Sequence, residues 1–355
     1  MSGLRPPPFN RVVWLTAHIG ALGEEKMKKL FIFPLILFLL LQSIFANDTY
    51  FYLAGGNLTP VKESDILVEM KEETILINLL PKYYEVTVDF IFYNQGETIE
   101  LDVGFPFFSE GIEGKGEIWD YKCWTNNIET EFKKTPITKE WQKPTGLEYA
   151  NVRNIQFPKE SKTKTRVYYK AKYGASAPSF AIANYLYGTG LSWKGKIGKI
   201  NLIIENNDIN SIFWNVSMNE KSIKNNLIKT QDNRFEIVFE NIEPENYNST
   251  FEIELGDVLN DVGPRVFPAY FQFNKKIVDK SELKWYTKEQ LRLVRNAIYA
   301  LHGYNFKSED LREYFNSVGK YWNPPYEINP SFSESELSSC EKTNIQNILE
   351  EEKNR

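Results

Sequence analysis

The chain has 355 residues, with 42 Lys and Arg against 47 Asp and Glu, two histidines, two cysteines and a net charge of −5. Setting aside the five basic and two acidic residues of Met1–Ala46 leaves 37 basic and 45 acidic residues, net −8, over a length sufficient for two ordinary domains. That balance excludes a nucleic-acid backbone as the main partner, because phosphate binding needs a positive face. After the leader, no apolar run approaches the roughly 18–20 residues that span a bilayer.

Met27-Lys28-Lys29 is followed by an apolar run, Leu30–Leu41, and then by Gln42-Ser43-Ile44-Phe45-Ala46. A short positive segment, a short apolar run and a terminal small residue are the marks of a signal peptide. Residues 27–46 are therefore expected to direct export, with cleavage near Ala46. Ile44 stands where a small residue is usual, which leaves an uncleaved anchor open. No cysteine follows the run, which argues against a lipid-anchored lipoprotein. Residues 1–26 have no place ahead of such a signal. Gly23-Glu24-Glu25-Lys26 would be encoded by purine-rich codons where a ribosome-binding site falls, so translation is expected to begin at Met27. The mature chain is expected to be periplasmic or extracellular, with no membrane span.

From residue 47 to 258 the pattern has period two. Val86, Val88, Phe90 and Phe92 alternate with Thr87, Asp89 and Ile91; Asn94-Gln95-Gly96-Glu97 supplies a turn; Ile99, Leu101 and Val103 alternate with Glu100 and Asp102. This predicts two half-buried strands joined as a hairpin. Further strands are predicted at Asp65–Met70, Thr74–Leu79, Val167–Tyr173, Lys199–Glu205, Ile212–Ser217, Phe235–Glu240 and Thr250–Leu255. Short strands without amphipathic helices predict an all-β, antiparallel, sandwich-like domain.

Asn47-Asp48, Ala54-Gly55-Gly56-Asn57-Leu58, Ile66, Met70-Lys71-Glu72-Glu73, Asn94, Phe105-Pro106 and the run Tyr185–Gly198 carry a resemblance. The region resembles domain-of-unknown-function family 4424, which implies an exported domain without assigned chemistry. The residues themselves offer no catalytic motif. Gly188-Thr189-Gly190 and Gly195-x-x-Gly198 suggest a phosphate cradle, but Lys199–Glu205 reads as a strand where a cradle needs a helix N-terminus. Residues 47–258 contain no histidine, which excludes Ser–His or Cys–His chemistry within this domain. Paired carboxylates acting on a glycosidic bond stay open. Trp119, Tyr121, Trp124, Trp141, Trp193 and Trp214 are candidates for stacking against sugar rings, but AT-rich codon usage and strand-face packing are the stronger explanation of the aromatic excess.

After a linker expected at 259–279, the period changes. Thr287-Lys288-Glu289-Gln290 is a capping box, Leu291, Val294, Ile298 and Leu301 share one helical face, and Gly303 ends the helix. Ser308 opens a second helix with Glu309 and Asp310 in its first turn, carrying Leu311, Tyr314, Phe315 and Val318 to Gly319. Tyr321-Trp322-Asn323-Pro324-Pro325-Tyr326 makes a rigid aromatic loop, and Ser333-Glu334-Ser335-Glu336 is read as the capping box of a third helix. The prediction is a small, three-helix, all-α C-terminal module at 280–352. Cys123 and Cys340 make neither a disulfide framework nor a metal cluster. A single bridge between them needs Cα atoms within about 7 Å, and Cys340 is expected instead to pack as a small apolar residue.

Arg295-Asn296-Ala297-Ile298-Tyr299-Ala300-Leu301-His302-Gly303-Tyr304-x-Phe306, continued by Leu311, Tyr314-Phe315, Tyr321-Trp322, Glu341 and Asn344-Ile345, resembles the YARHG domain family. The resemblance implies an extracytoplasmic accessory module. The arginine of the family's namesake motif is Leu301 here, so any ligand contact that it makes in relatives is lost or changed.

Arg295, Tyr299 and His302 fall on one stripe of the first helix, and His302 is the sole histidine beyond the leader. With Asn296, Tyr304 and Trp322 they are the candidate binding residues. One reading is a polar ligand contact or a pH switch. The other, favoured for a polar residue beside a helix-ending glycine, is a buried network. In that network His302 and Arg295 bond loop carbonyls around Trp322–Tyr326, with Tyr299 beneath. A lone histidine does not hold zinc, and the sequence calls for no cofactor. The functional expectation is an exported, non-enzymatic binding or structural protein of the bacterial cell envelope, with a wall component or a protein as partner. The alternatives are an envelope hydrolase using paired carboxylates and an interaction module acting by β-strand addition.

Overall fold

The computed structural model describes residues 49–54, 57–59, 66–107, 118–137, 149–176, 180–257, 273, 276–322 and 324–355. The leader, with its expected start and cleavage sites, lies outside the described residues, as does Trp141. The fold is a large multi-sheet β region followed by a helical segment.

An eight-stranded sheet runs in the order β16 (Ile228–Gln231), β17 (Arg234–Ile242), β13 (Ile197–Asn206), β3 (Val68–Leu79), β4 (Tyr84–Asn94), β10 (Lys162–Ala171), β6 (Ile118–Thr125) and β7 (Ile128–Glu129). A five-stranded sheet has β2 (Asn57–Thr59), β1 (Thr49–Ala54), β5 (Ile99–Phe107), β9 (Tyr149–Phe157) and β8 (Lys133–Pro136). A second five-stranded sheet has β11 (Gly174–Ser176), β12 (Phe180–Leu186), β18 (Thr250–Asp257), β14 (Ser211–Met218) and β15 (Lys221–Ser222). Among the described pairs all are antiparallel except β3 and β13, which run parallel with Leu202 opposite Ile75. Between β3 and β13 the chain passes through all three sheets, so these parallel neighbours are joined by a long crossover.

Period-two alternation drives this assembly. In β4 every second residue from Tyr84 to Phe92 is fully buried. Both small sheets pack on the inner face of the large one. Phe105 of β5 meets Tyr169 of β10 with ring centroids 5.3 Å apart, and Phe157 of β9 meets Phe92 of β4 at 5.6 Å. At the other end Phe213 of β14 lies 5.0 Å from Phe235 of β17, and Phe251 of β18 lies 5.7 Å from Phe239. The result is one continuous apolar core.

Two sequence expectations are corrected here. The predicted hairpin does not form: β4 pairs with β3 and β10, whereas β5 pairs with β1 and β9 in another sheet. The turn at 94–97 is a crossover between stacked sheets. Asn94 shapes it, donating from Nδ2 to the carbonyls of Glu97 (2.7 Å) and Phe157 (2.9 Å). Alternation marks the buried face of each strand but not its partner, so arch and hairpin look alike in sequence. The strands predicted at 65–70 and 74–79 are one strand, β3, interrupted by a bulge between Met70 and Glu72. The bulge shifts the alternation so that Glu73 turns inward, fully buried, and accepts a 2.6 Å hydrogen bond from the Tyr185 hydroxyl. Gly198 lies against the bulge; a Cβ there would sit 2.5 Å from the Lys71 carbonyl oxygen.

The helical segment contains α1 (Lys280–Leu283), α2 (Lys288–Leu301), α3 (Glu309–Val318) and α4 (Ser339–Lys353). One short helix, α1, is added to the three predicted. The Ser333–Glu336 capping box forms, but on a single 3₁₀ turn; α4 starts at its own capping box, Ser338 with Glu341. α3 ends at Gly319 as the sequence predicts, and Gly319, with helical dihedrals (φ −67°), continues into a 3₁₀ turn. The segment has its own core, into which Phe273 and Val278 from the expected linker are buried. Asn344, fully buried on α4, holds that strap. It donates to the carbonyls of Phe273 (2.6 Å) and Lys276 (2.7 Å) and accepts from the Val278 amide (2.9 Å). No helix among the described residues is long and apolar enough to cross a membrane. Cys123 and Cys340 are not joined by a disulfide; the first is buried in the β core, its thiol donating to the Thr130 carbonyl at 3.2 Å, and the second is half-buried on α4.

Three side chains stand at the centre of the junction between the helices and the β region, flanked by the Tyr314 hydroxyl on Asn210 and the Asp232 carboxylate on the Lys288 amide. Trp285 is buried in the β core, stacked on Phe235 with centroids 5.4 Å apart, and covered by the ammonium groups of Lys284 (4.3 Å) and Lys224 (4.9 Å). Gln290, fully buried, serves twice. Its Oε1 completes the α2 capping box by accepting from the Thr287 amide (3.0 Å), while Nε2 donates to the carbonyls of Asp208 (3.1 Å) and Ser211 (2.7 Å). Lys229 of β16 donates from Nζ to the carbonyls of Lys284 (3.1 Å) and Tyr286 (2.9 Å). Burial, with the charge of Arg355 added, lowers this ammonium from the ordinary lysine value to about 8, against the opposing pull of Asp232.

Trp285→Ala is expected to destabilise the protein by about 3–5 kcal/mol and to split its urea unfolding into separate β and helical transitions. Tryptophan fluorescence and far-ultraviolet circular dichroism, followed together, test this. Because the folded state depresses the Lys229 pKa, charged Lys229 costs stability below that value, and the cost is relieved as pH rises toward the unfolded value. The stability of the wild type minus that of Lys229→Met is therefore expected to increase between about pH 8 and about pH 10, read from urea midpoints across that range.

Candidate functional site

The first helix of the motif is positioned at both ends by local chemistry. Its capping box fixes the start, and Leu291, Val294, Ala297 and Ile298 pin one face in the core. Its end is Gly303, at φ +75°, where a Cβ would lie 2.5 Å from the Glu327 carbonyl oxygen. The Gly303 carbonyl accepts from the Asn329 amide at 2.8 Å, so the strap after the proline pair runs directly under the helix end.

That geometry leaves Arg295, Tyr299 and His302 on the neighbouring stripe, facing α4. Arg295 makes a two-pronged pair with Glu352, Nε to Oε1 at 2.7 Å and Nη2 to Oε2 at 3.2 Å. His302 Nε2 lies 2.8 Å from Glu341 Oε1. Their expected partners, loop carbonyls around Trp322–Tyr326, are replaced by carboxylates of the last helix. The reason is the later start of α4, which places Glu341 in its first turn, opposite His302. Tyr299 packs on Tyr304 and Phe332, with centroids at 5.8 and 6.3 Å, rather than beneath the proline loop. Asn296 is turned back onto its own helix, donating to the Arg292 carbonyl at 2.8 Å. Tyr304 joins Phe306 and Phe332, and its carbonyl accepts from the Tyr326 hydroxyl at 2.7 Å.

Glu341 is the hub of this network. Burial alone would raise its pKa, but hydrogen bonds from His302 and from the Ser338 amide and hydroxyl outweigh that and hold the carboxyl below the usual glutamate value.

Beside the hub opens a cleft of about 330 Å³, lined by Leu301, His302, Trp322, Pro324, Pro325 and Tyr326. Of the six predicted binding residues, His302 and Trp322 reach it, while Arg295, Asn296, Tyr299 and Tyr304 do not line it. Sequence reasoning passed over Leu301 and the two prolines as site residues. Their signal was present in the departure from the family motif at 301 and in the rigid Pro324-Pro325 run. The Trp322 side chain is buried, and its indole N–H has no hydrogen-bond acceptor among the described residues. Leu301 puts an apolar wall where the motif carries a cation. None of these residues is among those that bond or stack across the junction with the β region. A second hollow, about 170 Å³, lies at that junction between Trp214, Lys224, Trp285 and Tyr286. Among the described residues no three His, Cys, Asp or Glu side chains gather as metal ligands do.

Residues 269–353 match the YARHG domain family. No curated protein matches the chain. Among solved structures, a Legionella pneumophila protein provisionally described as nutrient binding is similar at 16% identity and a TM-score of 0.47, over 86% of this chain and 99% of its own. A two-domain M1 zinc metallopeptidase bound to L-tryptophan is similar at 7% identity and a TM-score of 0.28, over 52% of this chain and 42% of its own. The M1 zinc metallopeptidase of Deinococcus radiodurans, with a Tyr-Ser-Ala substrate, gives 6% identity and the same score and coverage. At these scores the likenesses assign no chemistry to this chain.

His302→Ala leaves a nearly buried carboxylate short of a partner and is expected to cost about 2 kcal/mol of stability. Since folding lowers the Glu341 pKa, its contribution is present above the ordinary glutamate value and is lost as pH falls through the lower folded value. The stability advantage of the wild type over Glu341→Gln is therefore expected to shrink below about pH 4.3, in melting curves taken between neutral and acid pH.

Proposed function

We propose that this is an exported bacterial cell-envelope protein that binds rather than catalyses, and that the cleft beside His302 is its binding site. In this reading residues 27–46 are the leader and translation starts at Met27. Residues 47–258 form a β domain of the kind seen in domain-of-unknown-function family 4424, residues 259–279 connect it, and residues 280–352 form the YARHG-like module that engages a wall component or a protein.

The observation that carries the reading is the lining of the cleft. A buried indole, an imidazole edge and two rigid prolines surround one concave volume. The prolines and Tyr326 supply a wall that loses little conformational freedom on binding. The polar motif residues, by contrast, are engaged in holding α2 to α4, which supports an architectural rather than catalytic use of Arg295 and His302.

Co-sedimentation with purified peptidoglycan sacculi tests the proposal. The wild-type protein is expected to pellet, and Pro324→Glu/Pro325→Glu, which places charge at the exposed mouth, is expected to stay in the supernatant with an unchanged melting temperature. Failure of the wild type to pellet sinks wall binding and turns the search to protein partners cross-linked in cells. Equal pelleting of the variant removes the cleft as the site.

A further inference from the structure

Of the six aromatic residues that the sequence offers for sugar stacking, the five described ones separate sharply in three dimensions. Trp193 is buried against Phe92 and Phe157. Tyr121 faces the core, its ring on Phe105 and its hydroxyl accepting from Arg153. Trp214 lines the junction hollow. Trp119 and Trp124 are different: both are half-buried residues of β6.

Five residues separate Trp119 from Trp124, and in a regular strand an odd spacing puts two side chains on opposite faces. A β-bulge corrects the parity. Opposite β10 the register runs Lys170 to Trp119, Tyr168 to Lys122 and Arg166 to Trp124, so β6 carries one extra residue. Asp120 takes up the extra length in a left-handed conformation, φ +55°, which is costly for a residue other than glycine. Lys170, Tyr168 and Arg166 alternate with buried neighbours along β10 and face outward. Their partners Trp119, Lys122 and Trp124 therefore face outward as well. Without the bulge one of the two indoles would be driven into the core. Bulges that re-aim side chains are a recurrent feature of functional sheet edges.

The surroundings suit a ligand rich in hydroxyls and without net charge. Tyr83 packs edge-on against Trp119 at 5.7 Å. Arg166 pairs with Asp89 through two bonds of 2.7 and 2.9 Å, Lys170 with Asp120 at 3.1 Å, and the Tyr168 hydroxyl donates to Glu85 at 3.1 Å. Lys122 on β6, Lys162 and Lys164 on β10, and Glu129 opposite Trp124 also carry charge on or beside this face, so five cations stand against four carboxylates, close to balance. Such a face offers donors and acceptors side by side but little field to attract a polyanion. The two indoles stand roughly 13 Å apart along the strand, at about 3.3 Å per regular step, which spans several sugar rings in a row.

We propose that the outer face of β6 and β10, with Trp119 and Trp124 as stacking anchors, binds an uncharged polysaccharide strand. The apolar C–H faces of the sugars lie on the indoles, burying apolar surface, while Lys122, Arg166 and Asp89 exchange hydrogen bonds with their hydroxyls. This face is separate from the cleft beside His302 and stands or falls independently of it.

Native affinity electrophoresis through gels containing hydroxyethylcellulose, galactomannan or dextran, with polygalacturonate as an acidic comparison, tests the inference. At least one neutral glycan is expected to retard the full chain. Trp119→Ala/Trp124→Ala is expected to raise the apparent Kd at least tenfold while circular dichroism stays unchanged. If that pair misfolds, Trp119→Phe/Trp124→Phe keeps a ring at both positions and is expected to retain weakened retardation. Free mobility of the wild type in all three neutral gels overturns the inference. So does retardation by polygalacturonate alone, or equal retardation of the folded alanine variant.

Discussion

Trp285 leaves the start of the helical segment and comes to rest among Phe213 and Phe235, so a residue from one core completes the other. Everything placed around it follows from that insertion. Lys224 and Lys284 cap the indole, Lys229 reaches across to the carbonyls on either side of it, and Gln290 fixes the first turn of α2 against the 208–211 loop. The indole supplies the apolar area, and the lysine and glutamine supply direction. Apolar contact alone permits sliding, whereas hydrogen bonds to named carbonyls define one orientation. The helical segment is thus a continuation of the β fold rather than a bead on a string.

The same economy governs the motif on α2. The residues that look most chemical in sequence are engaged with α4: Arg295 with Glu352, His302 with Glu341. Asn344 ties the incoming strap to the same helix. These polar contacts take the place of extra apolar core that a segment of three helices and a single turn lacks the length to build. They fix α2 and the incoming strap against α4, while the proline-bearing strap is held under the helix end by the Asn329 amide on the Gly303 carbonyl and the Tyr326 hydroxyl on the Tyr304 carbonyl. Of these polar residues His302 lines the cleft, while Arg295, Glu352 and Asn344 act behind it.

Local chemistry was legible where it is local. The Thr287–Gln290 capping box, the left-handed Gly303 and the apolar stripe of α2 all sit where spacing places them. So does the strict alternation of β4. What the sequence could not convey is partnership. Alternation in β4 and β5 is the same whether the turn between them makes a hairpin or an arch, and the choice rests on Asn94 reaching Phe157, sixty-three residues away. The charged run Lys71-Glu72-Glu73 read as a break, although a bulge backed by Gly198 carries it through one strand. A second capping box at Ser338 lay five residues beyond the one that seemed sufficient, and only its partner His302 reveals why the helix begins there. For the sugar-stacking aromatics, parity counted along β6 assigns Trp119 and Trp124 to opposite faces, and the bulge at Asp120 reverses that count.

Because Trp285 and Lys229 lock the helices onto β16 and β17, the molecule is mechanically continuous. Force applied to the helices while the β sheets are held would pass through that junction, across the Trp285 contact and several hydrogen bonds at once. The helices and sheets would then give way together rather than peel apart in turn. A fold built on this plan can transmit tension from its helices to its sheets, with one aromatic ring at the centre of the joint.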